Sequence, residues 1–314
     1  MSSVVVAGGT GFIGRSLVDR LATAGHPVTV LARDTEAARR SLGARARVLA
    51  WSLDAGPVRD AWEREVAAAT GVVNLAGAGV MDKAWTEARK RELYASRIDV
   101  TGALAMAMAK EPSRLEAPRV FVSASAVGIY GPQTDDALQT EDSPPGSDFL
   151  AALCVEWEAA AAPAREGGVR VVHPRLGIVL GREGGALAKM SLAFKLHAGG
   201  PLGSGAQWVS WIHERDVVLA LERALTSGSL NGAYNFVAPR PVTMEEEAEL
   251  IAKVLNTHAR ARIPAFVLTA TLGAGRAETV LTGQRVSAAR LVEAGYPFLY
   301  EALLPALTDL LGHA

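Results

Sequence analysis

Ser3-Val4-Val5-Val6-Ala7-Gly8-Gly9-Thr10-Gly11-Phe12-Ile13-Gly14 stands near the start of the chain and decides the reading of its fold. An apolar, β-branched run is followed by Gly8, Gly11 and Gly14 at steps of three, then by a helical pattern over 15–24. Strand, tight turn and helix follow from that pattern. Gly8 permits the turn, Gly11 lets a phosphate approach the backbone, and Gly14 lets the helix pack closely on the strand. The free N–H groups at the helix start, with the helix dipole behind them, suit a pyrophosphate. Three glycines alone also suit an ordinary strand-to-helix turn. A second strand over 27–31, one crossover helix away, makes the unit βαβ and points to a dinucleotide.

Composition bounds the rest. The 314 residues suffice for one large domain, or a large and a small one. With 49% hydrophobic and 21% charged residues, the chain can bury a sizeable core. A net charge of −1 argues against nucleic acid or an anionic membrane as partner. Cys154 is the only cysteine, so no internal disulfide or cysteine-rich metal site is possible. No apolar run approaches the ~20 residues of a membrane span. With a core strand so near the start, we expect no leader, no bound metal, and a cytoplasmic monomer or homodimer acting on a small molecule.

Further strands are expected over 47–51, 71–75, 119–122, 168–172 and 231–237. Helices are expected over 58–69, in two parts within 82–109, from Ser147 or Asp148 to about 165, and over 214–225. This alternation predicts an α/β fold with a doubly wound parallel sheet. Its ligand belongs at the carboxyl ends of the strands, where Ala7-Gly8, Ala32-Arg33, Leu75-Ala76-Gly77 and Ser123-Ala124-Ser125 fall. The tip of the second strand carries Ala32 and Arg33. A guanidinium there suits a 2′-phosphate and favours NADP over NAD, although Asp34 could still meet a ribose. Beyond Pro239-Arg240-Pro241 the pattern is mostly helical, with Thr243 and Glu246 spaced as a capping box. We expect a dinucleotide-binding domain over 1–238 and a small, mostly helical, substrate-side domain over 239–314.

Gly8 to Gly14, Asn74-Leu75-Ala76-Gly77, Ser123-Ala124-Ser125-Ala126-Val127-Gly128-Ile129-Tyr130-Gly131 and the segment 199–213 resemble the extended short-chain dehydrogenase/reductase superfamily. More narrowly, the whole chain resembles the SDR39U1-like epimerase family branch, whose short C-terminal DUF1731 domain matches the tail over 262–311. The resemblance implies a Rossmann core binding NADP. It places cofactor contacts at Thr10, Gly11, Phe12, Ile13, Ala32, Arg33, Leu75, Ala76, Glu92, Arg97 and Val179. The last three come from the resemblance alone.

Enzymes of this superfamily carry Tyr and Lys as YxxxK on one helix. The ammonium lowers the tyrosine pKa while the tyrosine moves a proton. Here the corresponding positions read Leu150 and Cys154. Ser125 stands where the family has its serine, and Tyr130 is the nearest tyrosine; both are candidate catalytic residues, although a core or loop position explains Tyr130 as simply. Cys154, Glu158 and His213 are further acid–base candidates, although a buried thiol, a surface charge and a helix cap explain them as simply. Gly199-Gly200-Pro201-Leu202-Gly203-Ser204-Gly205 and Gln207-Trp208 should close over the substrate, with His213 nearby. In relatives that region accommodates nucleotide-sugars. This chain offers no basic cluster for a diphosphate beyond Lys189, Lys195 and Arg215. Two functions are therefore expected: an NADP-dependent oxidoreductase or nucleotide-sugar-type epimerase, or a non-catalytic NADP-binding regulator or sensor.

Overall fold

Period-two alternation in the first strand builds both faces of the core. Val4 and Val6 pack with Leu17, Val18 and Leu21 on one side. Val5 and Ala7 pack with Trp62, Val66 and Leu104 on the other. A strand apolar on both faces must be covered by helices on both faces, which a parallel crossover topology provides.

The computed structural model describes residues 3–110 and 119–312. The first half runs β1 (Val4–Ala7), α1 (Phe12–Thr23), β2 (Val28–Ala32), α2 (Thr35–Leu42), β3 (Arg47–Ala50), α3 (Pro57–Ala68), β4 (Gly71–Asn74), α4 (Glu87–Ala95), α5 (Ile98–Ala109) and β5 (Val120–Ser123). It continues through β6 (Ser125–Ala126), β7 (Leu138–Gln139), α6 (Phe149–Ala159), α7 (Ala162–Glu166), β8 (Arg170–Leu176), β9 (Ile178–Leu180), α8 (Gly185–Lys195), β10 (Trp208–Val209), β11 (Trp211–His213), α9 (Glu214–Thr226) and β12 (Gly232–Phe236). The tail holds β13 (Val242–Thr243), α10 (Met244–Val254), α11 (Ala265–Leu272), α12 (Ala274–Leu281), β14 (Arg285–Val286), α13 (Ala289–Glu293) and α14 (Leu303–Leu311).

The main sheet has the order β12-β8-β5-β4-β1-β2-β3, with β6 beside β8. All its pairings are parallel, in register Val4↔Val28 and Val4↔Gly71 around β1. This is a Rossmann-like, doubly wound sheet, and the reversal of strand order falls between β1 and β4. A third apolar cluster joins α8, α10 and α14 through Phe194, Ile251 and Leu307.

Local sequence explains most boundaries and three departures. Asp148, rather than Ser147, caps α6 by accepting from Leu150 and Ala151 N–H groups. Thr243 and Glu246 form the expected capping box on α10. The single helix expected to run to about 165 breaks into α6 and α7. Pro163 lacks an N–H, and its ring would crowd the carbonyl of Ala159. β8 extends past 172 through Pro174. There it pairs with β12 while its pairing to β5 has already ended at Val172. The polar stretch 132–148 contributes β7, which pairs in parallel with β14 from the tail.

The fold depends on glycine where α1 crosses β1. A Cβ on Gly14 would stand 2.1 Å from the Gly8 carbonyl oxygen and 2.8 Å from Gly9 Cα. We expect Gly14→Ala to cost about 1–3 kcal/mol in urea unfolding, because backbone must shift to admit the methyl group. Gly102→Ala in α5 is the control. Its Cβ would meet nothing closer than 3.9 Å, so helix propensity should stabilise that variant by up to ~1 kcal/mol. Equal effects at both positions would show that crowding at Gly14 is not the constraint.

Candidate active site

The glycine bend sits where β1 ends beside β4. Gly8 has φ +81°, and a Cβ there would lie 2.6–2.8 Å from the Leu75–Ala76 peptide. Gly9, which the pattern of three glycines passed over, is constrained by a side chain instead of backbone: its Cβ would meet the Val30 methyl groups of β2 at 2.8 Å. Gly11 differs. Its Cβ would approach only the Gly8 oxygen, at 3.3 Å, so that face of the bend is open. Gly11 is also the N-cap of α1 and supplies no side-chain hydrogen bond. The first N–H groups of α1 therefore face outward without an intrahelical partner. Thr10 and Gly11 are exposed there, and Ile13 packs into the core behind them. The Phe12 ring crosses to Gly181 and Gly184, where a Cβ would stand 2.1 and 2.5 Å from it.

The other residues of this edge come from separate strands. Ala32 ends β2, and the exposed Arg33 follows it. Arg33 makes no hydrogen bond or ion pair with the described residues. Asp34 is engaged as the N-cap of α2, accepting from Ala37 N–H at 2.9 Å. Asn74 shapes the exit of β4: its amide donates to Thr101 Oγ1 at 2.8 Å, and its oxygen accepts from Ala76 N–H at 3.1 Å. Gly77 lies against the Arg97 guanidinium, which sits 5.1 Å from the Trp157 ring. Glu92 is half exposed and pairs with Arg89 at 2.7 Å. The Arg89 hydrogen bond holds its pKa down, with small contributions from Lys83 and Arg33. Val179 lies in β9, and a Cβ on Gly185 would stand 2.7 Å from its carbonyl oxygen and 3.7 Å from Phe12.

A cleft opens beside this edge, with a cavity volume of ≈ 150 Å³. Its walls come from the 3₁₀ turn Val127–Tyr130, the start of α6, β9, β10 and α12. Leu150 lines it, so the position where the superfamily has tyrosine presents an alkyl chain to the cleft. Cys154, one turn further along α6, is 4% exposed, and burial pushes its thiol up to about 12. A thiol so raised stays protonated and cannot replace a lysine ammonium.

Behind the cleft wall lies a buried polar network. Ser125 Oγ donates to Glu158 Oε1 at 2.7 Å. Arg175 donates to both Glu158 oxygens, at 2.9 and 3.1 Å, and its Nη1 donates to the Tyr130 hydroxyl at 3.1 Å. Tyr130 in turn donates to Asn235 Oδ1 at 2.6 Å. Burial works against ionisation of Glu158, but the hydrogen bonds and charge of Arg175, with the Ser125 hydroxyl, hold its carboxyl below the usual range. Burial raises the Tyr130 pKa against the opposing pull of Arg175.

Four sequence expectations change here. Tyr130 is 1% exposed, and its hydroxyl is spent inside the network rather than offered to the cleft. Gln207 stands behind the cleft: its amide ties Leu202 of the glycine loop to Val280 of α12, at 3.0 and 2.9 Å. His213 does not reach the cleft. It caps α9 by accepting from Arg215 N–H, stacks on Tyr300 with centroids 4.1 Å apart, and faces Asp309 of α14. Burial lowers its pKa to about 4, so it is neutral. Glu158 is not a surface charge but the centre of the network. Its one sequence signal was its place a turn beyond Cys154 on the helix that carries Leu150. Trp208 lines the cleft. Trp85 and the α12 residues, also on the walls, carried no motif.

A parallel sheet with a glycine bend and an uncapped helix at its switch point defines the class of dinucleotide-fold proteins. The chain belongs to the NAD dependent epimerase/dehydratase family, whose model matches residues 4–236. A domain of unknown function, DUF1731, matches residues 263–310. The chain is 41% identical over 308 residues to the chloroplastic epimerase family protein SDR39U1 homolog of Arabidopsis thaliana, covering 97% of this chain and 85% of that protein. It is 35% identical to epimerase family protein SDR39U1 of Homo sapiens, covering 98% and 99% of the two chains. A crystal structure of human SDR39U1 (isoform 2) with NADPH superposes with a TM-score of 0.85 at 34% identity, covering 99% of each chain. Among the described residues, no helix is long and apolar enough to cross a membrane, and no group of three or more His, Cys, Asp or Glu could hold a metal ion.

Glu158 offers a direct test of the network. Glu158→Gln strands the Arg175 guanidinium, and we expect a loss of about 3 kcal/mol in urea unfolding at neutral pH. The folded pKa of Glu158 lies below its ordinary 4.5, so the stabilisation is whole above 4.5 and is lost as pH falls through the lowered value. The stabilities of the native chain and the variant should therefore converge as pH falls below 4.5. A gap that stays constant across that range would remove ionised Glu158 as its source.

Proposed function

We propose that the chain binds NADP(H) along the carboxyl ends of β1, β2 and β4 and is an oxidoreductase of a small carbonyl or alcohol. The observation that carries this reading is Arg33: an exposed guanidinium at the tip of β2, without a partner among the described residues, beside the open glycine bend and the uncapped start of α1. The likeness to human SDR39U1, whose crystal structure holds NADPH, supports it. The first turn of α1 would hold the pyrophosphate and Arg33 the 2′-phosphate, with NAD the poorer ligand. Gly8, Thr10, Gly11, Phe12, Ile13 and Gly14 would form the floor, and Ala32, Leu75, Ala76, Gly77, Glu92, Arg97 and Val179 the sides. Bound NADPH would supply a hydride.

The proton is the chain's own task. Ser125 precedes the cleft wall at Val127 by two residues, and its hydroxyl already points its proton at Glu158 Oε1. Ser125 is as buried as Tyr130 and does not line the cleft, so substrate binding would have to uncover it; its Oγ would then take the proton of a substrate alcohol while its own proton passes to the ionised Glu158. In the reverse direction it would return that proton to the carbonyl oxygen. This chain divides the work at about residue 239, the tail closing the substrate side. Its free, buried Cys154 suits a reducing compartment such as the cytoplasm. The rival reading, a non-catalytic NADPH-binding regulator, is favoured by Leu150 and Cys154 in place of the tyrosine and lysine.

Two measurements separate these readings. Arg33→Ala should weaken NADPH by roughly 10- to 100-fold in titration calorimetry and leave NADH nearly unchanged. Equal losses for both would remove Arg33 from the 2′-phosphate. Ser125→Ala should lower NADPH consumption with a carbonyl panel by about 100-fold while NADPH affinity stays the same. Tight NADPH binding with no consumption by the native chain would favour the regulator.

A further inference from the structure

The cleft's size and lining restrict what it can admit. The sheltered part of this cleft, which is partly open to solvent, is ≈ 150 Å³, against the roughly 150 Å³ of an enclosed cavity that holds a benzene ring in a protein interior. Its apolar wall is made by Trp85, Leu150, Ile178 and Trp208. Among the lining residues there is no Lys, Arg or His; the ionisable ones are Asp148 and Glu278, both acidic. Asp148 spends its oxygens on the N–H groups of Leu150 and Ala151. Glu278 is exposed, and its carboxylate has no hydrogen bond or ion pair with the described residues.

The cations nearest in sequence to the lining are held elsewhere. Arg285 lies over the Trp208 ring at 4.7 Å and donates to the Asp136 carbonyl. Arg276 donates to the carbonyls of Leu272 and Met81. The polar groups of the wall are turned largely inward. Ser210 donates to the Gln284 carbonyl at 2.6 Å, the Gln284 amide donates to the Gly131 carbonyl at 2.7 Å, and Trp208 Nε1 donates to Asp136 at 2.8 Å. What remains is apolar surface with a carboxylate at the rim. A phosphate or carboxylate entering it would lose water without gaining a cation, and would face Asp148 and Glu278.

We propose that the substrate is a small, mainly apolar, non-anionic carbonyl or alcohol of about one ring in size, and that nucleoside diphosphate sugars are excluded from this cleft. This rests on taking the cleft as the substrate side of the function proposed above. The aldehyde or alcohol group supplies the polar end, and Leu150 and Ile178 grip the apolar one. Replacing tyrosine by leucine at 150 thus widens the apolar wall at the position where the superfamily places its acid.

Benzaldehyde, 4-carboxybenzaldehyde and UDP-glucose serve as probes, titrated by saturation-transfer NMR against the full chain with and without NADPH. Benzaldehyde should bind. Leu150→Trp, which fills the cleft, should weaken it by at least about tenfold at unchanged NADPH affinity. The 4-carboxylate should bind about tenfold more weakly than benzaldehyde, and the exposed-site variant Glu278→Lys should narrow that gap. UDP-glucose should not displace benzaldehyde. The proposal is overturned if UDP-glucose does displace it, if the carboxylated probe binds as well, if benzaldehyde fails to bind, or if Glu278→Lys leaves the gap unchanged. Failure of NADPH to bind the native chain would instead sink the function proposed above, since the NADPH-free titrations read the cleft by themselves.

Discussion

Everything at this site depends on how closely two pieces of backbone approach at Gly8. The bend after β1 lies against the Leu75–Ala76 peptide at the end of β4, and α1 lies against the bend itself through Gly14. No side chain fits between them. That contact fixes the direction of α1 relative to the sheet, so its uncapped first turn points along the sheet edge. It also fixes the spacing of β1 and β4, from whose ends the two sides of the groove rise. A side chain at Gly8 would face a positive φ and a backbone clash together. The open helix start goes with that packing: the glycine bend that permits the close approach has no side chain to cap the first N–H groups of α1.

The second constraint is the buried Arg175–Glu158 pair, whose side chains are 10% and 16% exposed. Ion pairs this buried contribute less to net stability than their proximity suggests, because both charges lose water. Their value lies in specification. Arg175 reaches Glu158 on α6, Tyr130 on the 3₁₀ turn and the Glu141 carbonyl, and Tyr130 reaches Asn235 on β12. Four segments that form the back of the cleft are thereby fixed to one guanidinium. The network also replaces, in position if not in chemistry, what Tyr and Lys would have organised on α6. With Leu150 and Cys154 there, ordering of this corner comes from behind the helix, and Ser125 is drawn towards Glu158.

Legibility in the sequence followed the range of the interactions. The strands β1 to β5 and the capping box at Thr243 were readable because alternation and caps are local. The place of Arg33 at the tip of β2 is readable because the apolar run of that strand ends at Ala32. Gly9 was missed because its constraint is Val30, twenty-one residues away, and no spacing rule names it. Tyr130, Gln207 and His213 sit in or beside motifs that border the cleft, yet none of them lines it. Border residues of a loop alternate between lining a cavity and holding it, and sequence does not say which. Glu158 inverted the usual rule for helix charges, since its partner Arg175 comes from a strand whose length the sequence understated at Pro174.

The tail supplies the part of the cleft that sequence leaves unread. The dinucleotide edge is built from strand ends that any chain of this topology must bring together. The cleft instead borrows α12 and β14 from the last fifty residues and sets them against β10 and β7. The approach is close: a Cβ on Gly283 would stand 2.0 Å from the Trp208 carbonyl oxygen. Gln207 and Ser210 pin the same seam by hydrogen bonds to Val280 and Gln284 carbonyls. Because backbone rather than long side chains forms this seam, the tail leaves little room to open for a bulky ligand without breaking it. The apolar, acid-rimmed character of the cleft is therefore a property of how the tail docks, while the dinucleotide edge is a property of the sheet. A substitution on α12 therefore alters the cleft lining without touching the glycine bend at the ends of β1 and β4.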